Sequence, residues 1–194
     1  MPARGIVRAG RRVEEATLHP NPSPMSRFRS VAATVAAVAV ALVARPVAAQ
    51  ESGIAVGVMA PDAAVTTLDG KPVRLSQYIG KTPVVLEFWA TWCSNCKALE
   101  PALQRAATAL GPQVTFLAVA VSANQTPARV QRYLQQHKLP VTMLYDATGA
   151  ATDAYEVPTT SYVVIIDKAG KVVYTGSGGG QDLLAAARRT LAVR

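Results

Sequence analysis

Hydrophobic positions repeat along this chain with two periods, and the order in which the periods follow one another predicts the fold. "PVVLEFWA" (83–90) and "VTFLAVAV" (114–121) are nearly continuous apolar, β-prone runs, as expected of strands buried on both faces. Between them Cys96, Leu99, Leu103, Ala106 and Leu110 recur at helical spacing and end at Gly111-Pro112. Strand, helix and strand in that order predict a parallel βαβ unit. Pro101 falls inside the helix, where it removes one hydrogen bond, so a kink is expected. Upstream, Asp69-Gly70 in "VTTLDGKPVRL" (65–75) predicts a β-hairpin. Downstream, Thr126-Pro127 reads as N-cap and first residue of a helix whose face carries Val130, Tyr133, Leu134 and His137. His137, closing that face, reads as a helix C-terminal partner rather than a ligand. "VTMLYD" (141–146) is a short strand, and "SYVVIID" (161–167) and "KVVYTG" (171–176) flank Lys168-Ala169-Gly170 as a hairpin. "QDLLAAARRTLAV" (181–193) closes the chain as a helix. The expected fold class is α/β, a sandwich built on a mixed central sheet.

Charge changes the picture only at the N terminus. The formal net charge is +8, but seven of the 20 Lys and Arg and only two of the 12 acids precede residue 50. The remainder holds 13 basic and 10 acidic residues, a net +3, with no basic stripe and no aromatic-interleaved basic patch. Nucleic acid is therefore not an expected partner. The early charge belongs to a targeting signal: Arg27 and Arg29 after Met25, the uncharged run "VAATVAAVAVALVA" (31–44), then Val47 and Ala49 at the −3 and −1 positions of a small-residue cleavage site. Fourteen helical residues span only about 21 Å, against a hydrocarbon core of about 30 Å, which favours a cleaved signal peptide over an anchor. Residues 1–24 are expected to be an upstream extension or misassigned start, 25–49 a signal peptide cleaved after Ala49, and 50–194 one domain in a periplasmic or other extracytoplasmic space. An uncleaved anchor is the alternative. No cysteine follows the apolar run, so the segment is not a lipoprotein signal.

The only two cysteines, Cys93 and Cys96, stand two residues apart between a buried strand and the start of a helix. A helix N-terminus carries about half a positive charge and free N–H groups, which would stabilise a thiolate at Cys93. Cys-x-x-Cys thiols in such places have pKa values lowered to about 3.5–7.5. Cys96, one turn further in, is placed to attack a mixed disulfide on Cys93, so Cys93 is the expected nucleophile and Cys96 the resolving thiol. A two-residue loop is a poor structural staple. Zinc wants four ligands, and residues 50–194 add only His137 to the two cysteines. A c-type haem needs His where Lys97 stands. Copper(I) held by both thiolates, and inert core thiols, remain as alternatives.

These residues resemble a known family. "FWATWCSNCK", Pro101 five residues after Cys96, and "VPTTSYVVIID" are similar to the thioredoxin superfamily, and "APDAAVTTLDGKPVRLSQYIGKTPVVLEFWATWC" to its extracytoplasmic TlpA/ResA branch. The likeness spans essentially residues 54–192. It implies a thioredoxin-like sandwich with an N-terminal β-hairpin and a helix and strand inserted between Val121 and Val157. It also implies a cis-proline at Pro158, facing the cysteines and leaving the preceding backbone free to pair with a substrate strand, with Val157 and Thr159 as substrate-binding residues. The residues alone read as well with an ordinary trans-Pro at a strand start. Trp92 would shield one side of the nucleophile, or simply pack. Glu87 is the only charge in "PVVLEFWA"; burial would raise its pKa, and it matches the buried acid that moves protons for the resolving cysteine in thioredoxin. The plainer alternative is a carboxylate reaching solvent through its longer side chain.

Two departures stand out. ResA-type proteins carry an acid three residues after the second cysteine; here Leu99 occupies that place and Glu100 follows. Ser94-Asn95 replaces a dipeptide that usually ends in Pro. The resemblance implies an exported thiol–disulfide oxidoreductase reducing protein disulfides, in cytochrome c maturation or metalloprotein assembly, with a membrane thiol donor as its reductant. No cofactor or metal and a monomeric state are expected. The competing function is a Cu(I) carrier using the same two cysteines. A peroxidase fits poorly, because Thr91 is two positions before Cys93 and Leu86 stands where the peroxiredoxin pattern puts its Pro.

Overall fold

The hairpin predicted at Asp69-Gly70 joins β1 (Ala64–Thr66) to β2 (Pro72–Arg74), antiparallel, with Val65 opposite Val73. Gly70 takes φ +87°, a left-handed conformation that glycine adopts without steric cost. This is a computed structural model, and it describes residues 52–192. The readings of 1–24 and 25–49, with cleavage after Ala49, lie outside the described residues.

The predicted βαβ unit is β3 (Val84–Trp89), α1 (Ser94–Leu110) and β4 (Thr115–Val121), with β3 and β4 parallel and Leu86 beside Leu117. It continues through α2 (Pro127–Gln136) into β5 (Thr142–Asp146), parallel to β4. β6 (Tyr162–Ile166) returns antiparallel to β3, β7 (Val172–Ser177) forms the second hairpin, and α4 (Leu183–Ala192) ends the described chain. The seven strands lie in the order β2-β1-β5-β4-β3-β6-β7. The mixed α/β sandwich is the expected one, with α2 and β5 inserted where predicted.

Both crossovers step the same way across the sheet. Right-handed connections therefore put α1 and α2 on one face. Every residue of β3 is buried, and its side chains alternate between the faces. Val85 joins a cluster with Leu99 and Leu103 of α1 and Leu183 and Ala187 of α4. Val84, Leu86 and Phe88 face the other side, where Phe88 meets Tyr155 and Tyr162 at ring-centroid distances of 5.5 and 6.3 Å.

α1 runs through Pro101 without ending, because its face carrying Cys96, Leu99, Leu103, Ala106 and Leu110 is buried as the spacing required. Thr126 caps α2 by accepting from the Arg129 N–H, with Pro127 at the first helical position. His137 is the C-cap residue of α2 and stacks on Tyr133 at 4.1 Å. A short helix, α3 (Ala150–Ala154), was not predicted. Five residues are too few to show a period. The helix depends on buried Asp146, whose carboxylate accepts from the backbone N–H groups of Ala151 and Thr152 and from the Thr152 hydroxyl. Among the described residues no helix is long and apolar enough to cross a membrane.

Candidate active site

Cys93 is the N-cap residue of α1, in extended conformation with φ −79° and ψ 110°. Its Sγ accepts from the Cys96 N–H at 2.9 Å, so one of the helix's free donors already points at sulfur. The Cys93 carbonyl accepts from the Lys97 N–H at 3.2 Å, which starts the helical ladder. Cys93 and Cys96 are joined as a disulfide with Cα atoms 5.3 Å apart. Cys93 is 4% exposed and Cys96 1%. The order of accessibility is the predicted one, but Cys93 is less open than expected. Its distinction from Cys96 therefore rests on the helix terminus more than on exposure.

Trp92 is 43% exposed, and its indole N–H donates to the Ala123 carbonyl at 2.8 Å. It is thus neither free nor packed away. It stands as a tethered aromatic surface next to Cys93, which suits contact with an incoming chain.

The same loop holds the active-site turn through Gln125, a buried residue that the sequence reading passed over. Its Oε1 accepts from the Thr91 N–H at 2.9 Å, and its Nε2 donates to the Val121 carbonyl at 2.5 Å. Its own carbonyl accepts from the Tyr145 hydroxyl at 2.9 Å. One amide therefore ties the exits of β3 and β4 together. The available signal was weak: a single amide ahead of the Thr126-Pro127 cap. Gln125→Ala should leave the buried Thr91 N–H without its acceptor and lower stability by about 1–3 kcal/mol. Urea denaturation should show a lower midpoint with an unchanged slope. A loss below about 0.5 kcal/mol would remove Gln125 from this role.

Glu87 is 1% exposed on the α1 and α2 face of β3, so the solvent-reaching alternative is wrong. Alternation puts its side chain inward, and the flanking strands leave no lateral route out. Among the described residues its Oε1 makes no hydrogen bond. Burial, with a smaller contribution from the nearby Glu100 charge, pushes its pKa up to about 8. The strand keeps this acid because its apolar neighbours outweigh it. Burying Val84, Val85, Leu86, Phe88 and Trp89 contributes about 1.5–3 kcal/mol each.

Glu100 is the second acid of the site. It lies four residues after Cys96, on the same side of α1, and its Oε1 accepts from the Tyr133 hydroxyl at 2.6 Å. Tyr133 in turn packs edge-on against Trp89 with ring centroids 5.0 Å apart. Burial, then the bond to Glu100, raises the Tyr133 hydroxyl above the ordinary tyrosine range and keeps it a donor. The departure at Leu99 thus moves the helix acid one position along rather than deleting it. Leu99 instead fills the core at 0% exposure.

Pro158 corrects an expectation. Among the described residues every peptide bond is trans, that between Val157 and Pro158 included. An X-Pro bond favours trans by about 0.5–1 kcal/mol. The chain reversals here fall on flanking residues in the left-handed region, Glu156 at φ 49° and Ser161 at φ 64°. The position of the loop is nevertheless the one expected. The Ser161 N–H donates to the Phe88 carbonyl at 2.8 Å, so the loop enters β6 at the sheet end where β3 leaves for Cys93. Pro158 and Thr159 are exposed, while Val157 packs against the cluster that includes both cysteines.

A glycine also shapes the site. A side-chain carbon at Gly179 would lie 2.5 Å from Ala98 Cβ and 3.1 Å from the Asn95 carbonyl oxygen. Only glycine lets the loop after β7 approach the first turns of α1 so closely. The "GSGGG" run (176–180) marked a loop but did not say what it would touch.

A buried-strand turn with a Cys-x-x-Cys disulfide capping the next helix, in this sheet order, defines a thioredoxin-like thiol–disulfide oxidoreductase. The chain belongs to the AhpC/TSA family, whose model matches residues 56–175. It is 30% identical over 136 residues to the thiol-disulfide oxidoreductase ResA of Geobacillus kaustophilus, covering 69% of this chain and 77% of that protein. A solved structure of a secreted Mycobacterium tuberculosis disulfide oxidoreductase, homologous to E. coli DsbE, superposes with a TM-score of 0.56 at 30% identity. That match covers 65% of this chain and 94% of the other. The exposed lipoprotein thioredoxin Etrx1 of Streptococcus pneumoniae gives a TM-score of 0.56 at 32% identity, covering 68% and 98% of the two chains. The TlpA/ResA-like thioredoxin resemblance read from the sequence is thus the right one.

Proposed function

We propose that this protein is an exported reductant of protein disulfides, with Cys93 as nucleophile and Cys96 as resolving thiol. The observation that carries the reading is the position of Cys93 at the cap of α1, with its sulfur accepting the Cys96 N–H. In the reduced protein that N–H and the helix dipole stabilise a Cys93 thiolate. The thiolate attacks one sulfur of a substrate disulfide, forming a mixed disulfide, and the other substrate sulfur leaves as a thiolate and takes a proton. Cys96 then loses its proton to Glu87 and attacks Cys93 Sγ. The second substrate thiol is released, and the Cys93–Cys96 disulfide is left behind. Two electrons pass from the protein to the substrate, and an extracytoplasmic thiol donor held in the membrane returns them.

Glu87 suits the proton step, since a group with a pKa of about 8 exchanges protons near neutral pH. Trp92 and the 157–159 loop flank the disulfide as the substrate-contacting surface, with Val157 and Thr159 offering backbone to an extended chain. A secreted relative supports the extracytoplasmic location, as does the signal-like segment 25–49. Apocytochrome c and copper-binding proteins are the client classes that the TlpA/ResA resemblance suggests.

The test is a redox titration of the exported protein, whose mature chain is expected to start at Gln50 by mass spectrometry. The Cys93–Cys96 couple should have a potential below about −200 mV, on the thioredoxin side of the superfamily's range. A value near about −120 mV, that of a strong oxidant, would reverse the direction of electron flow.

A further inference from the structure

Beside the disulfide lies an open cleft of about 540 Å³ that the thiol chemistry does not use. Lys97 and Thr91 border it on the side of the active-site turn, and Arg129, Arg132, Tyr133 and His137 border it on α2. Lys97, Arg129 and Arg132 are all exposed, and among the described residues none of them makes an ion pair. Arg129 is held only by a long bond from its Nη1 to the Asn124 carbonyl at 3.5 Å. Among the described residues no carboxylate lines the cleft. Glu100 is outside the lining, and its carboxylate is already engaged by the Tyr133 hydroxyl at 2.6 Å. Tyr133 and His137, their rings stacked at 4.1 Å, form the wall between the two arginines and the active-site turn.

Three unpaired cations converging on one hollow cost the folded protein self-repulsion, and an anionic occupant would relieve it. The occupant must also fit an enzyme whose substrates are protein disulfides. We propose that this cleft docks an acidic segment of the partner polypeptide, carboxylates toward Lys97, Arg129 and Arg132, while the partner's disulfide lies over Cys93. The proposal rests on the oxidoreductase reading and adds a specificity to it: partners with Asp or Glu close to the reacting cystine are preferred. Charges on an exposed rim act mainly on encounter and register, so the effect should appear in kcat/KM and should weaken with salt.

The test uses the mature protein and three cystine-containing peptides that differ only in a flanking run of four Asp, four Ser or four Lys. Hydroxyethyl disulfide, small and neutral, is the fourth substrate. At low ionic strength the Asp peptide should be reduced roughly tenfold faster than the Ser peptide in kcat/KM, and the Lys peptide more slowly than either. Half-molar salt should compress the three toward one value. The Arg129→Glu, Arg132→Glu double variant should invert the order while leaving hydroxyethyl disulfide reduction unchanged. Equal rates for the three peptides would overturn the proposal, and so would an Asp preference that survives the double variant. Failure of the unaltered protein to reduce any of the four substrates would instead overturn the reductant reading on which the proposal stands.

Discussion

Replacing Cys96 with Ser should turn the protein into a trap. Cys93 would still attack a substrate disulfide, because its thiolate is stabilised by the start of α1 and that helix does not depend on the Cys96 sulfur. What disappears is the second step. Cys96 acts as an intramolecular nucleophile, and such groups reach effective concentrations of about 10⁵ M or more when well oriented. An external thiol at millimolar concentration cannot match that, so steady-state turnover should fall by roughly 10³-fold or more. Client proteins should accumulate on Cys93 as covalent adducts that a reducing agent releases. Non-reducing electrophoresis with mass spectrometry reads the result directly. The reverse substitution, Cys93→Ser, should give no adducts at all. Equal trapping by the two variants would refute the assignment of roles. A stoichiometric Cu(I) held by the unaltered protein, with no clients trapped by Cys96→Ser, would favour the carrier instead.

The other large effect is on stability, and Glu87 is its source. Its pKa is about 8 in the folded protein against 4.5 as the ordinary value. Between those pH values the folded state holds a proton that the unfolded state has released. Stability therefore is greatest below about pH 4.5 as far as this group is concerned, falls as pH rises through the window to about 8, and is flat above it. Each pKa unit is worth about 1.4 kcal/mol, so the total is roughly 3–5 kcal/mol. Glu87→Gln removes the titration, and Glu87→Leu also removes the buried polar group. Both variants should gain stability relative to the unaltered protein between pH 5 and pH 9, by about 10 °C in Tm at the alkaline end. Calorimetry at the two pH values checks this, because titrating groups that do not interact with Glu87 cancel in the difference. Parallel pH curves for the three proteins would show that Glu87 does not titrate in this range. Glu100→Gln should do less, moving the midpoint to lower pH by removing the neighbouring negative charge while burial remains.

The same two residues mark where reading the sequence worked and where it stopped. Glu87 was visible as a problem because a lone acid in a continuous apolar strand must either be buried or reach solvent along its side chain, and only the assembled sheet showed which. Glu100 was visible as a residue but not as a neighbour of Glu87, since nothing in a linear sequence says which turn of α1 faces which position of β3. Gln125 was missed for a similar reason. Its hydrogen bonds to Thr91, Val121 and Tyr145 join the ends of β3, β4 and β5, segments that meet only when the sheet is assembled. Gly179 was read as part of a loop, and its role depends on Ala98, 81 positions away in the chain.

Local chemistry was enough to determine the elements and the reactive pair. Strand β3, helix α1 and the hairpin at Gly70 follow from periodicity and turn residues. A Cys-x-x-Cys at a strand-to-helix junction constrains its own surroundings, because the cap N–H groups come from the same few residues. Only the tertiary structure decided the rest: the trans bond before Pro158, the limited exposure of Cys93, the Glu87–Glu100–Tyr133 grouping and the cationic cleft between α1 and α2. Each of these depends on which groups approach across long sequence separations. Burial, Coulomb interaction and hydrogen bonding are set by distance in space, which a single chain read in order does not contain.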